Sequence, residues 1–112
     1  MSMETKDKIR LAMTGDTSQR AASIRSKAAR AVSGLSQTSL AQIVGTRNTT
    51  ISNIEKGLQF PSRALLQYFY HEQRLDFNFM IAGLYAGLPG DVQDRLFPAL
   101  EAAHSEWDQK EG

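Results

Sequence analysis

The sequence predicts an all-α fold, and three observations carry that prediction. Apolar residues recur at helical spacing through most of the chain. Serine, aspartate and glycine stand where such segments would start and stop. No stretch has the strict alternation of a half-buried strand.

Each element follows from its own residues. Residues 1–15 can form a short helix with Ile9 and Met13 on one face, or stay a mobile arm, and the run Gly15-Asp16-Thr17-Ser18 then turns the chain. Residues 18–32 are rich in alanine with Arg and Lys between, and Ala21, Ile24, Ala28, Ala31 or Val32, and Leu35 make a narrow apolar stripe. Gly34 suits the stop of that helix. Ser36 is the expected cap of a helix running to Val44, and Gly45 ends it. A further helix from about Asn48 to Lys56 buries Ile51 and Ile54 and stops at Gly57. Ser62 caps residues 63–73, whose apolar face is Leu65, Leu66, Phe69 and Tyr70. Residues 75–86, with Phe77, Phe79, Met80, Ile81 and Leu84, read as a closing helix. After the break at Leu88-Pro89-Gly90, Asp91 is the expected cap of a last helix with the stripe Val92, Leu96, Leu100, Ala103 and Trp107. Pro98 should kink that helix or end it at Phe97. The chain thus divides into an N-terminal extension (1–17), a core unit (18–88) and a C-terminal helix (89–112).

Composition narrows the function. The absence of cysteine excludes a disulfide scaffold and thiolate metal sites, and it suits a reducing cytoplasm. No apolar run is long enough to span a membrane, and MSMETKDKIRLAM lacks the apolar centre of a signal peptide, so a cytoplasmic protein is expected. His71 and His104 are isolated, and no phosphate loop or nucleophile motif occurs, so neither a metal, a cofactor nor an enzymatic activity is expected. The net charge of +1 hides an asymmetry. Residues 1–63 hold ten Lys/Arg against four Asp/Glu, a net +6, and residues 64–112 hold three against eight, a net −5. A basic part that meets a polyanion and an acidic part turned away from it would have this distribution.

Residues 35–57, LSQTSLAQIVGTRNTTISNIEKG, have the layout of a helix-turn-helix. Ala41 is small where the second helix crosses, Gly45 permits the positive φ of the turn, and Ile51 and Ile54 anchor the second helix. Asn48, Thr49, Ser52, Asn53 and Lys56 are left facing outward. They are polar and short, where a helix made only for solubility would carry Glu-to-Lys pairs. Gln37, Ala41, Gly45, Ile51, Ile54, Glu55, Gly57 and Pro61, continuing to the run Phe79-Met80-Ile81-Ala82-Gly83, resemble the Cro/CI-type (lambda-repressor-like) helix-turn-helix family. The resemblance covers residues 24–83. It implies a five-helix lambda-repressor-like domain, here with an N-terminal extension and an extra C-terminal helix, that binds double-stranded DNA and regulates transcription, with repression expected.

Roles follow for named residues. Asn48, Thr49, Asn53 and Arg47 are the candidates for base edges, since Asn can pair bidentately with adenine and Arg with guanine. Gln37, Ser36, Thr38, Ser52, Lys56, Arg25 and Lys27 are candidates for backbone phosphates. The family usually caps its second motif helix with Ser or Thr. Here Arg47 precedes it, so either Thr46 or Asn48 takes over, or that end is weaker by about 1 kcal/mol. Arg30 and Glu55 match positions that the family joins as an ion pair, so a structural pair is expected. One such motif reads few base pairs, so a homodimer on an inverted repeat is expected, paired through Phe77, Met80, Leu84, Tyr85, Leu96, Leu100 and Trp107. The last helix either extends that interface or folds back over the core. An alternative is an antitoxin-type module, whose acidic C-terminal segment binds a basic toxin partner while the same motif autoregulates its operon.

Overall fold

Serine and aspartate start most of the helices in the computed structural model, which describes residues 3–111. The elements are α1 (Thr5–Ala12), α2 (Gln19–Ser33), α3 (Gln37–Val44), α4 (Asn48–Glu55), α5 (Arg63–Gln73), α6 (Phe77–Ala82) and α7 (Gly90–Glu111), with no strand among the described residues. The hydroxyls of Ser18, Ser36 and Ser62 accept from the backbone N–H groups of Ala21, Ser39 and Leu65, and the Asp76 carboxylate accepts from Phe79. Each such bond satisfies an N–H that the first helical turn leaves free. Asp76 and Gly83 confine α6 to six residues, shorter than the spacing of its apolar residues suggests, so Leu84 to Ala86 lie in the following turn.

Helix α2 is the axis of the packing. It meets α4, α5 and α6, and α7 lies along it. Ala21, Ala22, Ala28 and Ala29 are all buried, and their small side chains let neighbouring backbones come close. One apolar cluster results: Ile24, Leu40, Ile51, Ile54, Leu65, Phe69, Phe79 and Met80 continue into Leu11, Val92, Leu96, Phe97 and Leu100. The last helix therefore folds back. Met80, Leu96 and Leu100, expected at a dimer surface, are wholly buried within one chain because the α7 stripe finds its partner on α1 and α2. Pro98 neither ends nor restarts this helix. It sits exposed between the buried Phe97 and Leu100, where water can take the Asp94 carbonyl that its missing N–H leaves free.

Helix α1 packs by a different face from the one its spacing suggested. Leu11 and Ala12 are buried and Ile9 is exposed. The cause lies at its C-terminal end, where His104 Nε2–H donates to the Leu11 carbonyl at 2.9 Å and Arg25 Nε donates to the Ala12 carbonyl at 3.1 Å. Arg25 was expected on DNA phosphate, but its side chain is 0% exposed. Its other guanidinium nitrogens donate to the carbonyls of Ile81 (3.0 Å), Met13 (2.8 Å) and Asp16 (2.6 Å). One guanidinium thus satisfies carbonyls at the ends of both α1 and α6, where the helix dipoles favour a cation. Gly83 permits this meeting, since a Cβ there would stand 2.3 Å from the Ala12 oxygen and 2.8 Å from Arg25 Nη2.

Candidate nucleic-acid interface

The turn between α3 and α4 is built as its residue types require. Gly45 has φ +83°, and the N–H groups of Gly45 and Thr46 both donate to the Ala41 carbonyl at 2.9 Å. Ala41 is buried beneath the crossing, with Leu40, Ile51 and Ile54 below it. Arg47 occupies the cap position of α4 with extended backbone and no side-chain cap bond, so neither Thr46 nor Asn48 replaces the missing hydroxyl. The first N–H groups of α4 are therefore left to an outside acceptor.

Burying Ile51 and Ile54 turns a polar stripe outward. Arg47, Asn48, Thr49 and Lys56 are exposed, while Ser52 and Asn53 are half-buried along the same helix. At the start of α3, Ser36 and Thr38 are exposed and Gln37 is half-buried. Apart from Gln37, these side chains are open to an outside partner, rich in hydrogen-bonding groups and carrying two cations. Such a set can meet base edges and phosphates together.

Glu55 closes the unit from behind. It is 9% exposed and accepts from Arg30 Nε at 2.6 Å and Arg30 Nη2 at 3.1 Å. Arg30 Nη1 also donates to the Leu35 carbonyl at 3.0 Å, so this one side chain joins α2, the start of α3 and the end of α4. The Ser23 hydroxyl donates to the Glu55 backbone carbonyl at 2.5 Å. Gln37 is turned towards the same carboxylate, its Nε2 donating to Glu55 Oε1 at 3.1 Å. Its spacing from Glu55 in the sequence gave no sign of that contact; only the crossing angle of α3 and α4 brings the two together.

Lys27 also faces away from the expected place, since it pairs with Glu106 of α7. That hydrogen bond holds the Glu106 carboxyl below the usual glutamate range. The acidic segment is accordingly not turned wholly away, because α7 runs beside α2 and returns to the end of α4. Among the remaining sequence candidates, Phe77 and Leu84 are exposed, while Tyr85 is half-buried with its ring edge-on to Phe97 at 5.4 Å. Tyr70 and Ile81 are exposed beside Phe77, and sequence reading missed them. The spacing of Ile81, four residues after Phe77, could have placed it on that outward stripe.

Among the described residues no helix is long and apolar enough to cross a membrane. Residues 27–67 match the family model described as Helix-turn-helix. Neither a curated protein nor a solved structure matches the chain. The match spans the end of α2, both motif helices, their turn and the start of α5, and over these residues the chain is similar to the helix-turn-helix family.

Proposed function

We propose that this protein is a sequence-specific transcriptional repressor that binds an inverted repeat as a homodimer, with α4 in the major groove. The observation that carries the reading is the outward stripe of α4, polar and uncharged over Asn48, Thr49 and Asn53 and flanked by Arg47 and Lys56. In this reading Asn48, Thr49, Asn53 and Arg47 read bases, while Ser36, Thr38, Ser52 and Lys56 hold phosphates. Gln37 and Arg30 keep α4 at its angle through Glu55. Residues 18–88 form the DNA-binding unit and its flanks brace it. Occupying an operator requires nothing beyond a DNA face and a pairing face, which is why repression in the cytoplasm is the simplest activity for such a chain.

For pairing, the reading uses the outward side of α6 and the neighbouring end of α5. Phe77, Ile81 and Leu84 are 37%, 48% and 49% exposed, and Tyr70 stacks edge-on against Phe77 at 5.9 Å. An apolar group of this kind supports a two-fold contact that sets two copies of α4 about 10 base pairs apart.

The test begins with a duplex selected from random DNA on the wild-type protein, followed by mobility shifts. Asn53→Ala and Thr49→Ala should each weaken that duplex by about 1–3 kcal/mol and relax the preference at one position of each half-site. If both variants bind the same duplex as tightly as wild type, α4 is not the reading element.

A further inference from the structure

We propose that the tip of α7 belongs to the DNA interface, with Lys110, which lines one cavity with Lys56, binding a backbone phosphate at the C-terminal end of α4. The proposal rests on the major-groove reading of α4 and extends it to a helix outside the matched segment.

Trp107 fixes the position of the tip. A Cβ on Gly57 would stand 2.9 Å from the Trp107 ring, so the indole lies directly on the residue that follows Lys56. Ala103, Trp107 and Lys110 recur at helical spacing, and all three face a cavity of about 130 Å³ whose other walls are Ser23, Ile24, Lys27, Glu55 and Lys56. Drug-sized ligands occupy roughly 300–1,000 Å³, so this space is too small for an effector of that size. It can admit a phosphate group entering from an open side.

Electrostatics select the anion. Glu55 is engaged by Arg30 and Gln37, and Glu106 by Lys27. Arg20 stands over the Trp107 ring at 5.8 Å. Of the residues lining the cavity, Lys27, Lys56 and Lys110 stand against Glu55, a net +2, within a molecule whose C-terminal part sums to −5. Asp108 lies about 200° round the helix from Lys110 and does not line the cavity. Two ammonium groups at one cavity repel each other until an anion stands between them. The strand bordering the groove beside Lys56 supplies one at the end of α4.

The experiment measures affinity for the selected duplex over a range of salt. Lys110→Gln should reduce the salt slope by about one and the affinity about fivefold to tenfold at ~0.1 M salt, with unchanged thermal unfolding. Lys110→Arg should behave as wild type, Lys110→Glu should bind more weakly still, and Lys6→Gln on α1 should change nothing. A Lys110→Gln protein that keeps the wild-type slope, while Lys56→Gln loses it, overturns the proposal. A loss of affinity without a change of slope also overturns it, since that reports packing rather than phosphate. Failure of the wild-type protein to bind any duplex in a salt-dependent way would remove the groove reading itself.

Discussion

Arg25 shows how far a single side chain can depart from what its type suggests. An arginine in an alanine-rich helix reads as surface, yet this one is enclosed, and burial lowers its pKa to about 10, which leaves it charged near neutral pH. Its partners are four backbone carbonyls, and only that of Met13 has a second donor, the Asp16 N–H, so removing it leaves the other three without one. Arg25→Ala should lose about 3–5 kcal/mol, measured as a fall in the urea midpoint. Arg25→Lys should recover only part, because an ammonium cannot copy the planar fork. The sequence could not reveal this role, since the carbonyls come from residues 12, 13, 16 and 81 and meet only after α1 and α6 have docked. Arg30 and Glu55 are the opposite case. Their pairing was implied by motif positions, and the structure brings their side chains to 2.6 Å.

At the scale of the element, caps made boundaries legible and packing decided orientation. Ser36 and Ser62 start their helices as expected because the capping bond is local. For α7 the pattern predicted the apolar stripe but not its destination. Its attachment to α2 includes Lys27 with Glu106, whose folded-state pKa is lowered by that hydrogen bond. A lowered carboxylate pKa stabilises the fold above the ordinary glutamate value of about 4.3, and the gain disappears as pH falls through the lower folded value. Glu106 is half exposed, so water screens the pair and its contribution is at most about 1 kcal/mol. Glu106→Gln should therefore be less stable than wild type near pH 7 and equal to it in strong acid. Trp107 fluorescence during urea unfolding at both pH values checks this.

At the scale of the whole molecule, the core consumes most of the apolar surface and leaves a group exposed around α6, besides Ile9, Ile43, Leu58 and Phe60 elsewhere. Phe77→Asp with Ile81→Asp should leave a folded monomer, seen by sedimentation, that binds the selected duplex about 100-fold more weakly. An equally tight complex from that variant would place the pairing surface elsewhere. The charge asymmetry also changes meaning at this scale. The acidic C-terminal part does not form a separate pole, because α7 is drawn along α2 by its leucines and brings Lys110 to the basic end.

By itself the sequence determined the all-α class, most helix ends, the motif turn and the outward stripe of α4. These depend on spacing, capping and backbone freedom within a few residues. Tertiary structure alone decided that α7 folds back, that Arg25 lies inside, that Gln37 faces Glu55 and that Trp107 rests on Gly57. Each of these joins residues distant in the chain through the crossing of packed helices, and local pattern carries no information about which faces will meet.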